Sequence, residues 1–418
     1  MVCLATGDGM PRINGYLMSN TKMKRFNEYL TEMASSVGEE ALGHLTHAKD
    51  IAHEDPAYGQ YALQLLQDFH KHRMGKTPKG FGASIKHDGG ASVIVKNDAN
   101  GVAVTDKHRA MRGVEARTPA DIKKHFGKHP GYAAALQQLL AHGGELVTPG
   151  RTIQGDLLFT PKDKTTTRKR GGVVEYTPNR ISYRARTNAP IGLAAHTEYT
   201  DGIAHALSPD ALRPTPNIFV PAHDYSRPDP KTYPKENRQA AEAHMAAARE
   251  LLSQHSTEHL TPDQVANFTI YNNRSARAAV RPTTEGYITH LAAERDKAAK
   301  KLKTDKGKNR VRAAYNGMIQ QVADNKEHFD RSLAIRHHME QATEHLLSGI
   351  SHPDLETRVD NKRSPGEGVV LQREGRPVGK LVPMGIQYAL GNNPRFPRQQ
   401  ALKESIIWLV KEVKAKSL

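Results

Sequence analysis

The sequence predicts an α+β fold, in which a β-rich unit is interrupted by a mainly helical insert. Three observations predict it. "ASVIVKNDANGVAVTD" alternates in the manner of strands and is broken at Asn100-Gly101, the signature of a hairpin. Residues 235–349 instead carry apolar residues at three- and four-residue spacing, with Ala-rich faces, which is a helical period. Strand pattern then returns at "GEGVVLQREGRPVGKLVP".

The elements follow in order. Residues 1 to about 20 contain Gly, Pro and Asn and read as irregular; "GDGMPRING" lacks the Gly-Lys-Ser/Thr ending of a phosphate loop. Helical spacing runs from there to about residue 75, with Met23, Phe26, Tyr29, Leu30 and Met33, then Tyr61, Leu63, Leu65, Leu66 and Phe69. "GKTPKGFG" breaks that helix. "PADIKKHFGKHPGYAAALQQLLAHGG" reads as a helix ending on Gly143 and Gly144. "RTIQGDLLFT", "VVEYTPNRISYRAR" and "APIGLAAHTEYT" read as further strands, and "RPTPNIFVPAHDYSRPDPKTYP" as a connecting loop. A final amphipathic helix is expected over about 397–416, with Leu402, Ile406, Leu409 and Val413 on one side and Trp408 as an anchor; its narrow apolar stripe fits core packing better than a membrane surface. The expected organisation is an N-terminal helical segment (1–78), a first β-rich part (79–205), a basic helical insert (206–360), a second β-rich part (361–395) and a C-terminal helix (396–418).

A chain of 418 residues suggests two or three structural units. Its net charge of +16 and pI near 9.7 favour a polyanionic partner, nucleic acid first. The single cysteine, Cys3, excludes an internal disulfide and a cysteine-rich zinc site. Among the 22 histidines, "HED" at His53–Asp55, "HDY" at His223 and the pair His337–His338 lack clean metal-ligand spacing. No run of eighteen apolar residues and no signal-peptide pattern is present, so a cytoplasmic protein without a membrane partner is expected.

The stretch "GASIKHDGGASVIV", Gly82 to Val95, carries the chemistry. A strand hands Lys86 into a turn of Asp88 and two glycines. An exposed lysine is protonated and a poor nucleophile, whereas burial or neighbouring cations free the amine. A strand end beside a basic pocket would supply both, and the small residues after Asp88 would let the backbone approach a nucleotide. Lys86 could then attack the α-phosphate of a nucleoside triphosphate.

"KHDG" resembles the nucleophile motif of the covalent nucleotidyltransferases, the superfamily of ATP-dependent polynucleotide ligases and mRNA capping enzymes. Three further segments follow in that superfamily's order: "IQGDLLF" is similar to its third motif, "GEGVVLQ" to its fourth and "VGKLVP" to its fifth. "VAVTDKHRAM" occupies the place of the basic segment behind the nucleophile, and "IGLAAHTEY" that of a strand lining the base pocket. The resemblance covers about residues 80–205 and 362–384. "QGDLLFT", "YTPNRISYR" and "IGLAAHTEY" are together similar to a poorly characterised ligase-like family of tailed bacteriophages, which would place the protein in the bacterial host cytoplasm.

The resemblance implies a ligase-type adenylation domain of antiparallel sheets with flanking helices. It implies catalytic roles for Lys86, Asp88 and Lys380, with Lys86 the nucleophile. ATP would be held by Ile85, Lys86, Lys107, Arg109, Asp156, His196, Glu367 and Lys380, the AMP passing onto Lys86; Glu367 would hold Mg²⁺ or Mn²⁺. The implied activity joins a 5′-phosphate to a 3′-hydroxyl of RNA or DNA, at ends or nicks. The alternatives are nucleotidyl transfer to another acceptor (a cap, a terminus or a protein) or a catalytically degenerate nucleic-acid-binding protein. The chain departs from the pattern in four ways: Ala91 stands where cellular DNA ligases commonly carry arginine, Asp156 replaces the usual glutamate, "KLVP" has one lysine where a pair is frequent, and no oligonucleotide-binding barrel is recognisable downstream. In the insert, "RDKAAKKLKTDKGKNRVR" could follow a phosphate backbone through Lys297, Lys300, Lys301, Lys303, Arg310 and Arg312.

Overall fold

The computed structural model describes residues 56–87, 89–160, 165–177, 180–254, 262–278, 280–350, 354–364 and 366–386. The fold is α+β: among the described residues there are three sheets, helices packed against two of them, and a helical insert with a core of its own. The N-terminal stretch before residue 56 and the helix expected over about 397–416 lie outside the described residues.

Helix α1 (Pro56–Arg73) leads into strand β1 (Phe81–Ile85). β1 pairs antiparallel with β13 (Val369–Arg373), which pairs with β14 (Arg376–Leu381). This small sheet therefore joins the two parts of the chain that flank the insert. One face supplies Phe81, Ala83, Ile85, Val369, Leu371 and Leu381 to a core shared with Leu65, Leu66 and Phe69 of α1. The same core takes Met245 and Leu252 of α5 (Lys235–Ser253) and Met339 and Leu346 of the insert's last helix (Lys326–Leu347). The helical face of residues 61–69 thus closes on this sheet.

The largest sheet runs β3 (Gly101–Thr105), β2 (Ser92–Asp98), β4 (Arg151–Phe159), β8 (Ile191–Thr200), β10 (Ile218–Phe219), with β9 (Ile203–Ala206) also on β8. Only β10 is parallel to its neighbour. The predicted hairpin forms β2 and β3, and Gly101 takes the positive φ of 90° at its turn. Short helix α2 (Lys107–Ala110) follows β3, and α3 (Pro119–Phe126) and α4 (Pro130–Leu146) cover one face of the sheet. There Ile122, Phe126, Leu136 and Leu139 meet Val93, Val95, Ile153 and Leu193. The helix expected over Pro119–Gly144 is thus two helices. Thr118 and Asp121 form a capping box at the start of α3, and α4 restarts at Pro130, in the first-turn position where its missing N–H costs nothing. Nor does α4 stop at Gly143 and Gly144. It runs on to Leu146, because a Cβ on Gly143 would come within 3.0 Å of both Val95 and Val102: the glycine is there for close helix–sheet approach.

The third sheet runs β12 (Lys362–Ser364), β11 (Leu355–Val359), β7 (Ile181–Arg186), β6 (Val173–Tyr176), β5 (Thr166–Lys169). β11 pairs with β7, so the β-rich unit resumes at residue 355. Leu158, Phe159 and Ala194 of the large sheet pack here against Val174, Tyr176, Ile181 and Tyr183. Within the insert, α6 (Pro262–Arg277), α7 (Thr284–Lys300), α8 (Asp305–Asp324) and α9 (Lys326–Leu347) surround a separate core of Phe268, Tyr287, Val311 and Phe329. Thr283 and Thr304 cap α7 and α8 through the N–H groups of Gly286 and Gly307.

The Pro-rich passage before α5 is more than a connection. Besides β10, it lays His223–Tyr225 along the free edge of β1: Ile85 donates its N–H to the His223 carbonyl and Tyr225 donates to Ala83. That edge is thereby paired.

Candidate active site

Lys86 follows β1 directly, and two contacts tie it to the other side of the insert. Its backbone N–H donates to the Gly368 carbonyl at 2.9 Å. Its amine donates to Glu367 Oε2 at 3.3 Å, joining residues 281 positions apart. The Lys86 side chain is 14% exposed and that of Glu367 is fully buried. Glycines make this possible. Gly366 and Gly368 hold φ values of 111° and 118°, and a Cβ on Gly368 would lie 1.9 Å from the Leu381 carbonyl oxygen. Only glycine lets the chain pass there and turn Glu367 inward. The expected basic pocket around the amine is replaced by a carboxylate at closest range, since an ammonium withdrawn from water needs a counter-charge.

The turn after Lys86 crosses from the small sheet to the large one. Gly90 donates its N–H to the Leu157 carbonyl at 2.6 Å, and Leu157 donates to Ala91 at 3.0 Å. A Cβ on Gly89 would come 2.5 Å from the Leu157 oxygen and 2.8 Å from Cβ of Asp156. One on Gly90 would come 2.9 Å from the Tyr176 hydroxyl. The glycines expected to admit a nucleotide are thus required by the protein's own strand β4. They carry the lysine turn against Asp156.

Asp156 pairs with Ser92 on β2 and Ala194 on β8, on the opposite face from Ile153 and Leu157, which join the core under α3 and α4. The β4–β8 register slips between Gln154 and Gly155, which leaves His196 as the extra residue of β8. Such a bulge re-aims a side chain. Here it brings His196 Nε2 to 3.9 Å from Asp156 Oδ1, a charge contact and too long for a hydrogen bond. Lys107, at the start of α2, belongs to the same neighbourhood: burial pushes its ammonium below the ordinary lysine value, while the Asp156 carboxylate acts in the opposite sense.

The remaining residues singled out from the sequence divide. Ile85 points into the core with α1, and its N–H is taken by His223, so its side chain faces away from Lys86. Arg109 is committed to structure: it pairs with Asp106, donates to the His125 carbonyl at 2.6 Å and lies over the Phe126 ring at 4.4 Å. Lys107 is therefore the cation that the basic segment offers. Lys380 stands opposite Val370 in β14, next to Leu381, whose carbonyl Gly368 approaches; it is on the face away from the helices. Asp88 lies outside the described residues. Lys300, Lys301, Lys303, Arg310 and Arg312 are exposed at the α7–α8 connection, and half-exposed Lys297 is 3.8 Å from Glu294.

Two further histidines, neither assigned a role from the sequence, lie near the site. His87 is buried, with Nε2 3.4 Å from the Ala222 carbonyl oxygen. His223 flanks β1 and lies close enough to His196 for the two rings to act on each other electrostatically; burial is the larger cause that lowers its pKa. His223 arrives through the edge pairing of residues 222–225 with β1, which no local pattern encodes, whereas His87 follows Lys86 directly.

A buried carboxylate against a half-withdrawn amine, with an aspartate, a histidine and a second lysine across a glycine turn, defines an α+β protein with a candidate site where two sheets meet. The chain belongs to a family of unknown function, DUF6267, whose model matches residues 43–384. No curated protein and no solved structure matches it.

Proposed function

We propose that the protein is an ATP-dependent polynucleotide ligase of the covalent nucleotidyltransferase type, working through a lysyl-AMP intermediate on Lys86. The observation that carries this reading is the double link of Lys86 to Gly368 and Glu367. Two segments that resemble the first and fourth motifs of that superfamily lie on either side of the insert and meet at one amine.

In this reading the Lys86 amine leaves its ion pair, gives up a proton to solvent water and attacks the α-phosphorus of ATP. An N–P bond forms and pyrophosphate departs. Lys107 and Lys380 neutralise the phosphate charge that develops, and Asp156 and His196 orient the nucleoside. The nucleotide then passes to a 5′-phosphate on nucleic acid, and a 3′-hydroxyl displaces AMP. Among the described residues no group of three or more His, Cys, Asp or Glu could hold a metal ion. The buried Glu367 carboxylate beside the Lys86 amine fits a Mg²⁺ or Mn²⁺ ion carried in by the triphosphate, because Mg²⁺ is usually held by one or two carboxylates with waters and phosphate oxygens. Glu367 is the residue that would take it, and the ion would offset phosphate charge. The net charge of +16 and the exposed cations at the α7–α8 connection support nucleic acid as the acceptor. Among the described residues no helix is long and apolar enough to cross a membrane.

Label transfer tests the reading. Protein mixed with Mg²⁺ and α-labelled ATP, then denatured, is expected to carry label that is absent from Lys86→Ala; GTP run beside it reports the base preference. Label persisting on Lys86→Ala overturns the nucleophile. No label with either nucleotide, on protein from which pyrophosphate also releases no AMP, overturns the covalent chemistry.

A further inference from the structure

A second basic surface lies beside the candidate site, on α2, α3 and the turn after α3. Residues 107–128 contain seven Lys and Arg against two acidic residues. The structure neutralises both acids internally. Glu115 pairs with Arg117 and Lys96, and Asp121 caps α3 through Thr118. Arg109 and Arg117 are consumed by Asp106 and Asp98. Among the described residues, Lys107, Arg112, Lys123, Lys124 and Lys128 are left outside any ion pair. The last four are exposed, and Lys107 is half-buried. Ile122 and Phe126 hold the inner face of α3 in the core, which turns Lys123 and Lys124 outward. Arg109 fixes α2 to α3 through the His125 carbonyl, so the two helices form one surface. It begins at Lys107, the cation beside Asp156.

We infer that this surface docks the phosphate backbone of nucleic acid and leads a strand to the Lys86 site. Unpaired cations gathered on two helices that are tied together suit a polyanion; they would otherwise repel one another without compensation. The identity of the polyanion rests on the ligase reading. The surface itself rests on geometry alone, and it is separate from the α7–α8 cations.

Fluorescence anisotropy on the full chain, without ATP, tests it, using a labelled single strand of about 20 nucleotides and its duplex across roughly 50–200 mM KCl. Replacing Lys123, Lys124 and Lys128 by Gln removes three exposed charges. The slope of log affinity against log salt is expected to fall by about 2 on the single strand and nearly 3 on the duplex, at ~0.7 and ~0.9 per phosphate contact, and binding at ~0.1 M salt to weaken at least ~10-fold. A loss of slope on one probe and not on the other shows which form the surface holds. A variant with an unchanged melting temperature that keeps the wild-type slope and affinity on both probes overturns the inference. The two readings fail separately. Absence of label transfer from ATP to the unaltered protein removes the ligase assignment while a reduced slope keeps the docking surface, and the reverse pair of results keeps the ligase and removes the surface.

Discussion

Gly366 and Gly368 bracket Glu367 with similar positive φ angles, yet they meet different surroundings. A Cβ on Gly366 would find nothing within 4 Å, whereas on Gly368 it would strike the Leu381 carbonyl at 1.9 Å. Alanine at Gly366 is therefore opposed only by backbone strain, about 1–2 kcal/mol. Alanine at Gly368 adds a clash with backbone that a rotamer change cannot relieve, for a total of about 3 kcal/mol or more. It also shifts the carbonyl that receives the Lys86 N–H. Urea unfolding of the two variants is expected to show this ordering, with label transfer lost first in Gly368→Ala. Equal destabilisation would mean that close approach to Leu381 does not fix the Glu367 turn.

Arg73, at the end of α1, plays a comparable part between elements. It is fully buried and donates through Nη1 to the carbonyls of Leu346 and Ser348, at 2.7 and 2.6 Å, and through Nη2 to that of Thr232 at 3.2 Å. Its guanidinium also lies 4.3 Å from the Tyr233 ring centroid. The end of α9, the chain entering α5 and α1 thus share one residue, which satisfies carbonyls that a helix C-terminus leaves without partners. Arg73→Met keeps bulk and strands those carbonyls; urea unfolding is expected to show a loss of about 2–4 kcal/mol, with Arg73→Lys recovering little because the fork is gone. A loss under about 1 kcal/mol would sink this account. None of this was legible in the sequence, where Arg73 is one more cation closing a helix. What was legible is periodic or local: the β2–β3 hairpin, the buried face of Leu63, Leu65, Leu66 and Phe69, the strand at Arg151–Phe159 and the insert helices. The candidate site was half legible. Lys86, Asp156, Glu367 and Lys380 stand out by motif, but the Lys86–Glu367 contact spans the insert, the His196 bulge is a register event and His223 arrives by edge pairing. Gly101 takes the positive φ that its hairpin turn needs, whereas other glycines answer to a demand from outside their own segment. Those at 89, 90 and 143 answer to a neighbouring strand, which one chain segment cannot display.

At the scale of the molecule, charge sets the response to acid. The chain already carries +16 with its 22 histidines neutral, so each histidine that titrates adds to self-repulsion. Several are held below their ordinary value in the fold, with burial the first cause: His70, His72, His223, His244, His337 and His338. His290 is pushed down from 6.5 to about 4, by burial and then by Arg274, which donates to its Nδ1 at 3.0 Å. A depressed histidine binds its proton more weakly folded than unfolded. Its contribution to stability is therefore complete above about pH 6.5 and is lost as pH falls toward the folded value near 4. For His290 alone the loss approaches about 3 kcal/mol, at 1.36 kcal/mol per unit. Below that window the carboxylates follow, since Glu145, held near 2 by His142, Asn217 and Thr215, and Glu198, which burial raises but Arg151 and Ser208 together hold down, stabilise the fold only while ionised. Urea midpoints at about pH 8, 6 and 4.5 are expected to drop steadily, most steeply in the lower interval. His290→Gln keeps an acceptor for Arg274 and cannot titrate, so its midpoint is expected to fall less over the same range. A wild-type midpoint constant across the three conditions, or a His290→Gln curve parallel to it, would show that the buried histidines do not govern acid stability.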